Sequence, residues 1–388
     1  MITTINNKHK KLNVPNLRFP EFQGEWEKMR LDAFTKRVMR KNKSNQSRLP
    51  LTISAQYGLV DQITFFNKVV ASTDLSNYYL LKKGEFAYNK SYSSDYPWGA
   101  IKRLDNYDQG ALSSLYICFA PQDNVVSDFI LQYFESPKWH KSISEIAVEG
   151  ARNHGLLNVA VQDFFHTYHY VPKDKKEQIK ISKLLMLLDE RIATQNKIIE
   201  DLKKLKSAIS ENLFKAVNGD VVILSEICEI IKGKQVNGEF LSEKGKYYVM
   251  NGGTEPSGYY SDYNVEANTI SISEGGNSCG YVQFNTSPFW SGGHCYTIQK
   301  IADNVDYLYL YHYLKSKEDA IMKLRIGSGL PNIQKKDLAM FKIKIPTVEQ
   351  QKAISTFLSS LERKAEIEER IQNAMQKEKQ YLLRQMFI

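Results

Sequence analysis

Two long stretches of the chain carry apolar residues at alternating spacings of four and three, the pattern of a helix that packs along another helix. We name them H1 (residues 171–217) and H2 (residues 346–388). Pro172 and Pro346 stand near their starts, where helices tolerate proline. The residues predicted to pair the helices are Leu185, Leu188, Ile192, Ile199, Leu202 and Ile209 in H1, and Leu358, Leu361, Met375 and Leu382 in H2.

The remainder forms two segments, X1 (residues 14–170) and X2 (residues 218–345), and the order X1–H1 repeats as X2–H2. Residues 155–164 match residues 329–338 in register. After a slip of one residue, the register holds from Gln178 against Gln351 to the ends of both helices. Chance is a poor explanation for so long a shared register, so the sequence predicts an internal two-fold repeat.

Within X1 and X2, short alternating runs bounded by turn residues predict an α+β fold with two domains. The expected X1 elements are strands at 49–53, 84–89, 99–102 and 114–119 and a helix at 125–134. The expected X2 elements are strands at 247–250, 269–273, 280–284 and 294–299 and a helix at 307–315.

Chain geometry predicts the direction of the paired helices. A helix of about 40 residues is about 60 Å long, whereas a domain of the size of X2 has a radius of gyration of only about 14 Å. X2 cannot bridge parallel helices, so we expect H1 and H2 to run antiparallel. X1 and X2 would then lie at opposite ends of a rigid, coiled-coil spacer and be related by a pseudo-two-fold axis.

Composition limits the function classes. The chain has 388 residues, a net charge of +9 and four scattered cysteines without a CxxC pair. The positive charge suits a polyanionic partner, although lysine-rich proteins also reach it without one. No apolar run is long enough to span a bilayer, and the start lacks the apolar core of a signal peptide. We therefore expect a cytoplasmic protein without a metal site, a disulfide framework or a membrane anchor.

Catalytic motifs are absent from the sequence. It has no GxxxxGK[ST] loop for phosphates, no GxGxxG after a strand and no HExxH. His294 and Cys295 resemble a base and a nucleophile, but neighbours on a strand point to opposite faces. A packing role is the favoured interpretation of this pair, and a non-catalytic protein is the prediction.

Nucleic-acid binding has better support. Residues 34–59 contain six basic and no acidic residues. They can follow a phosphate backbone, or they can be a solvated basic face. Polar loops suit contacts to base edges, although each alone can be an ordinary turn. The candidate DNA contacts are Lys36, Arg37, Arg40, Lys43, Ser54, Gln56, Tyr57, Lys90, Tyr92, Ser94, Arg152, Asn153 and His154 in X1, and Asn251, Thr254, Asn277, Arg325 and Ser328 in X2.

Several of these features resemble the specificity subunits of type I restriction–modification systems. Residues 15–26 (PNLRFPEFQGEW) are similar to the start of such subunits in low-GC Gram-positive bacteria. Glu177 and Gln178 stand near the start of H1, and Asp189 directly follows Leu188, one of the predicted helix-pairing residues. H2 repeats this order around Gln351, but Glu362 stands where the family usually has aspartate.

The resemblance implies that X1 and X2 are target recognition domains. The paired helices would dock two modification subunits, which carry S-adenosylmethionine and the adenine methyltransferase chemistry, and restriction subunits with translocase and nuclease activity would complete the complex. The target would be double-stranded DNA with two unlike half-sites and a fixed unread gap. The alternatives are a coiled-coil scaffold or regulatory protein that reads no DNA, and a lone endonuclease.

Overall fold

The computed structural model describes residues 12–68, 71–72, 74–147, 155–327, 329 and 331–388. The chain divides into two compact units. Unit 1 comprises the chain up to Thr194 together with Gln372–Ile388, and unit 2 comprises Gln195–Ile371. The division passes through both long helices, so each unit combines one globular segment with part of H1 and part of H2.

Unit 1 holds X1 and is built from three sheets. The first sheet has the strand order β2-β9-β6-β7, the second has the order β4-β3-β8-β5, and β1 pairs antiparallel with β10. The elements are β1 (Glu27–Arg30), α1 (Leu31–Phe34), β2 (Thr35–Arg37), β3 (Pro50–Ser54), β4 (Gly58–Asp61), α2 (Gln62–Phe66), β5 (Tyr79–Lys82), β6 (Phe86–Asn89), β7 (Ala100–Arg103), β8 (Gln109–Leu112), β9 (Ile117–Pro121), α3 (Ser127–Glu135), α4 (His140–Ser144), α5 (Val161–His166) and β10 (Tyr168–Val171), followed by the start of α6 (Lys175–Ala216).

Unit 2 holds X2 and is also built from three sheets. They have the orders β12-β18-β15-β16, β14-β13-β17 and β11-β19. The elements are β11 (Asp220–Ile223), α7 (Leu224–Ile227), β12 (Glu229–Lys232), β13 (Tyr247–Met250), β14 (Tyr259–Tyr260), β15 (Thr269–Ser273), β16 (Val282–Asn285), β17 (Trp290–Ser291), β18 (Cys295–Gln299), α8 (Tyr307–Ser316), α9 (Glu318–Met322), α10 (Lys335–Ala339), β19 (Lys342–Ile345) and the start of α11 (Val348–Gln385).

The two units repeat one topology. In each, the first strand of the unit pairs with its last strand, and a four-stranded sheet is followed by a helix, α3 or α8, after its fourth strand in sequence. The remaining sheet differs, with four strands in unit 1 and three in unit 2. The predicted α+β class and internal repeat are confirmed. Every predicted strand and helix is present within three residues of its expected bounds, except H1, whose helix begins at Lys175, four residues after its expected start.

The long helices run antiparallel within each unit, as predicted. In unit 1, Ile181 and Leu185 of α6 share a core with Leu383 and Phe387 near the end of α11. In unit 2, Gln195 Nε2 donates to Glu368 Oε2 over 2.6 Å, and Lys206 Nζ donates to Glu362 Oε1 over 2.6 Å. Residues that come later in α6 therefore contact residues that come earlier in α11.

Each long helix ends in the core of the unit that it completes. Phe387 lies 5.5 Å from Phe129 and 5.7 Å from Tyr133, between ring centroids, in unit 1. The matched residue Phe214 lies 5.3 Å from Tyr313 in unit 2. Both phenylalanines are 1% exposed. Burial of a whole aromatic ring stabilises each junction by about 2 kcal/mol, so the repeated aromatic residue anchors the helix end.

The residues that begin the long helices have structural roles. The buried Gln178 side chain accepts from Val126 N and donates to Pro172 O. Gln351, at the matched position of α11, likewise accepts from Asp306 N. Each glutamine therefore ties its long helix to the segment that begins α3 or α8. Buried polar groups need such partners, because an unpaired one costs about 1–3 kcal/mol.

Glu362 stands where the family usually has aspartate, and it keeps the ion pair that an aspartate forms at the equivalent position in unit 1. Asp189 pairs with Lys379 in unit 1, and Glu362 pairs with Lys206 in unit 2. These four residues are equivalent in the sequence repeat, so each unit carries the same pair with either carboxylate.

Candidate nucleic-acid interface

The basic residues predicted to contact phosphates begin on β2, the edge strand of the first sheet in X1. Lys36 and Arg37 are exposed, and neither forms an ion pair with any residue that the structure describes. They line a shallow groove with Met39, Arg40 and Glu85. A groove edge with exposed cations suits a phosphate backbone.

Arg40 is less free than the sequence suggested. Its Nη2 lies 2.8 Å and 2.7 Å from the two carboxylate oxygens of Glu85. The local stretch has no acidic residue, but β6 follows Glu85 and brings this carboxylate into the groove from 45 positions away. Lys43 is exposed in a short turn. The free positive charge of the groove therefore rests on Lys36 and Arg37.

The first polar loop of X1 joins β3 to β4. Ser54 is buried, and its Oγ accepts from Tyr57 N over 3.1 Å. Gln56 and Tyr57 are exposed, and Tyr57 keeps 68% of its surface in solvent. Ser54 thus stabilises the turn that presents the other two side chains.

The second polar loop of X1 follows β6. Lys90 O accepts from Leu157 N, and Tyr92 N donates to Gly155 O, so this loop lies beside residues 155–157. Tyr92 and Ser94 are exposed, whereas Lys90 is half-buried. Arg152, Asn153 and His154 lie outside the described residues, as does Ser328 of X2.

In X2 the structure brings four loops together, and we call residues 251–254, 274–277, 292–294 and 325–333 the X2 loop cluster; residues 328 and 330 of it lie outside the description. Asn251 Oδ1 accepts from His294 N over 3.0 Å, and Gly276 N donates to Pro331 O over 3.0 Å. Thr254, Asn277 and Arg325 are exposed on this cluster, and Asn251 is half-buried. Candidates from three separate loops therefore lie in one cluster.

Sequence reasoning selected Asn277 from the loop at residues 274–277 but missed the role of Glu274, the charged residue at the centre of this cluster. Glu274 is 5% exposed, and its Oε1 accepts from Lys232 Nζ over 2.6 Å and from the Tyr296 hydroxyl over 3.0 Å. Burial, and then the hydrogen bond to this carboxylate, raise the pKa of Tyr296. Its partners lie 42 and 22 positions from Glu274, so no local pattern reveals them.

The predicted packing role of His294 and Cys295 holds for only one of the two residues. Cys295 is 2% exposed, and burial raises the pKa of its thiol to about 11, which suits packing and not nucleophilic attack. His294 points the other way and keeps 63% of its side-chain surface exposed. The predicted packing role is therefore wrong for His294, because the strand begins at Cys295 and leaves His294 in the loop cluster.

The predicted pairing positions on the long helices are all at least half-buried. Leu185, Leu188, Ile199 and Leu358 are buried. The half-buried positions are Ile192, Leu202, Ile209, Leu361, Met375 and Leu382.

The outward faces of the two helices carry apolar residues at equivalent positions. Leu184 is 37% exposed and its counterpart Phe357 is 46% exposed. Ile198 and its counterpart Ile371 are 40% and 39% exposed. Exposed apolar side chains that recur in a repeat indicate two similar contact surfaces.

Neither a membrane span nor a metal cage stands out in the part of the chain that the structure describes. No helix there combines the length and hydrophobicity of a span. No three His, Cys, Asp or Glu side chains there are grouped to hold an ion.

Comparison with known proteins gives one family. Residues 217–377 match the family described as "Type I restriction modification DNA specificity domain". A putative type I specificity subunit from Mycoplasma pneumoniae is 34% identical over 138 residues, which are 35% of this chain and 36% of that protein. One from Mycoplasma genitalium is 31% identical over 145 residues, 37% of this chain and 38% of that protein. The matches thus span little more than a third of these relatives.

Solved structures extend the likeness of fold to nearly the whole chain. The S subunit of a type I restriction–modification system from M. genitalium covers 97% of this chain and 99% of its own, with a TM-score of 0.64 and 18% identity. A chain from a study of assembly and conformational transition of the type I R-M system covers 92% of this chain and 96% of its own, with a TM-score of 0.58 and 16% identity. The predicted resemblance to type I specificity subunits is confirmed.

Proposed function

We infer that the chain is a specificity subunit of a type I restriction–modification system, and we propose that it reads a bipartite, asymmetric DNA target. The observation that carries this proposal is the duplication. One topology occurs twice on antiparallel helices, while the exposed loops of the two copies differ in sequence and in anchoring. Equal scaffolds with unlike loops suit two unlike half-sites.

In this proposal, residues 14–170 and 218–345 are the target recognition domains, and residues 171–217 and 346–388 are the spacers. Lys36 and Arg37 contact phosphates and set the register of X1 on the duplex. Exposed loop side chains such as Gln56, Tyr92 and Asn277 discriminate bases. A good bidentate contact contributes about 1–3 kcal/mol of discrimination against the wrong base.

The chain itself is proposed to be non-catalytic. Two modification subunits would supply S-adenosylmethionine and methyl transfer, and restriction subunits would supply translocation and cleavage. The complex would act on DNA in the cytoplasm. A lone endonuclease would instead cut DNA with the purified chain and Mg²⁺ alone, and we expect no cleavage.

Methylation mapping tests this function against a scaffold. The full chain and its modification subunits are incubated with S-adenosylmethionine and mixed duplexes, and modified adenines are located by single-molecule sequencing. A DNA reader gives one bipartite motif with a constant gap. A scaffold without DNA readout gives methylation that does not depend on this chain, and that result would refute the proposal.

The repeated outward faces support two docking sites for the same modification subunit. We expect Leu184→Glu to reduce the complex from two modification subunits to one, because it places a charge on one apolar surface. Phe357→Glu should do the same at the other surface, and the double variant should bind none. Native mass spectrometry measures the stoichiometry.

Leu205→Glu is the matched control for this experiment. Leu205 is 50% exposed on α6, but its equivalent in α11 is already Glu378, so it belongs to no repeated surface. It should leave two subunits bound. Two bound subunits in the Leu184/Phe357 double variant would show that docking occurs elsewhere.

The basic edge of X1 predicts a salt-dependent effect. Each lost phosphate contact lowers the slope of log K against log salt by about 0.9. Lys36→Ala with Arg37→Ala should therefore weaken binding to all duplexes and reduce the slope by up to about two, as measured by titration at several salt concentrations. Arg40 is left intact, since its removal would leave Glu85 unpaired in the groove.

Lys141→Ala provides the control for charge alone. Lys141 is an exposed lysine on α4, 3.9 Å from Glu145, away from the β2 groove residues in sequence and contacts. Its removal should leave the slope unchanged. A loss of slope about half as large as that of the double variant would mean that net charge, and not the β2 edge, governs the salt dependence.

A further inference from the structure

The X2 loop cluster contains a buried carboxylate oxygen without a partner. Oε1 of Glu274 is occupied by Lys232 and Tyr296, but Oε2 is buried and accepts no hydrogen bond from any group in the described part of the chain. An unsatisfied buried acceptor costs about 1–3 kcal/mol, and more when it is charged. A hydrogen-bond donor to this oxygen would therefore stabilise the site.

His294 is the group placed to supply that donor. Its Nδ1 lies 3.8 Å from Glu274 Oε2, beyond hydrogen-bond distance but within reach of a small rotation of the ring. The backbone of His294 is fixed at the same place, because its N–H donates to Asn251 Oδ1 and its carbonyl accepts from Glu274 N. The exposed side chain thus lies between a buried carboxylate and solvent.

We propose that His294 reads a base in the half-site contacted by X2, and that Glu274 is the residue that positions it. This inference rests on the proposed DNA-reading function. On DNA, Nδ1–H donates to Glu274 Oε2, which fixes the tautomer and leaves Nε2 as an acceptor at the exposed end of the ring. In this arrangement one ring nitrogen of the neutral imidazole donates and the other accepts.

An acceptor at this place selects a definite class of base. In the major groove, adenine offers its N6 amino group and cytosine its N4 amino group as donors, whereas guanine and thymine present acceptors on that edge. His294 therefore favours adenine or cytosine at one position of the half-site. Asn277 and Arg325 on the same cluster remain free to contact neighbouring positions.

Base analogues test the contact directly. The full chain with its modification subunits is titrated with duplexes in which each adenine of the half-site is replaced by purine, or each cytosine by 2-pyrimidinone, so that one amino group is lost. In the unaltered complex, one such replacement should weaken binding about 5- to 10-fold. In His294→Ala the same replacement should have no effect, because changes to two contacting groups are not additive.

His166→Ala in X1 is the matched control. Its imidazole also lies near a carboxylate, with Nε2 3.9 Å from Asp32 Oδ2, but that carboxylate is exposed. This variant should keep the full sensitivity to the analogue. If His294→Ala also keeps it, the inference is overturned while DNA reading stands. If no analogue weakens binding by the unaltered complex, the inference is likewise overturned. If the unaltered complex binds duplexes of unrelated sequence as tightly as its target, the proposed function itself fails.

Glu274→Gln separates positioning from structural support. The amide oxygen keeps the place of Oε1, which accepts from Lys232 and Tyr296, so the amide NH₂ faces His294. Nδ1 then becomes the acceptor and Nε2–H the donor, and the preference at that position should change from adenine or cytosine to guanine or thymine. An unchanged preference in a complex that still discriminates the other positions would overturn the role of Glu274.

Discussion

Replacement of residues 218–345 by the equivalent segment of another specificity subunit is expected to change one half of the DNA target completely and leave the other half intact. The reason is that each unit has its own core and its own loop anchors. The core of unit 1 is built on Phe86, Phe119 and Trp139, and that of unit 2 on Ile270, Ile272 and Tyr309. Mapping of methylated adenines before and after the exchange measures the result.

The exchange must respect one packing constraint. Phe214 and Leu358 come from the retained helices but lie in the core of unit 2. A donor segment needs a cavity of matching size for them, since a void or an overpacked core costs about 1–5 kcal/mol. The reciprocal exchange of residues 14–170 is the control and should alter only the other half. A change in both halves after either exchange would contradict independent reading.

Much of the fold could be predicted because its signals are local. The strands β13 (Tyr247–Met250) and β15 (Thr269–Ser273) match their predicted bounds, since apolar runs between turns define them. The long helices follow from a spacing that persists for about nine helical turns. Their antiparallel direction followed from length alone, because a compact domain cannot bridge a parallel pair.

The sheets that close each unit could not be predicted. β1 pairs with β10, and β11 pairs with β19, across more than 110 intervening residues in each case. These strands are four residues long and carry charged side chains such as Glu27 and Lys342, so their alternation is weak. Long-range pairing depends on the register of the whole domain, which no local window contains.

In the candidate site, too, local features could be predicted and long-range contacts could not. Exposed loop positions such as Tyr57, Tyr92 and Asn277 could be predicted because polar turns between strands lie on the surface. The carboxylates that control the neighbouring charges could not. Glu85 meets Arg40, and Glu274 meets Lys232, only after the sheets have formed. Whether a lysine or arginine side chain is available to contact DNA therefore depends on the strand pairing that places a carboxylate beside it.

Removal of residues 194–200 from α6 together with residues 367–373 from α11 is expected to shorten the unread gap and to leave both half-site sequences unchanged. The two segments are equivalent in the repeat, and each contains one member of the Gln195–Glu368 pair, so no buried partner is left alone. Seven residues form nearly two turns, so the helix faces keep their direction within about 20°, while each helix loses about 10 Å.

At about 34 Å per ten base pairs, a loss of 10 Å allows the gap to shrink by up to about three base pairs. Removal from α6 alone is the control, because it shifts Lys206 and Ile209 by two turns against Glu362 and Leu358 and should destabilise the chain. Methylation mapping reads both the gap and the half-sites. An unchanged gap in a folded double deletion would refute the spacer role, whereas altered half-sites would show that the helices also shape the reading loops.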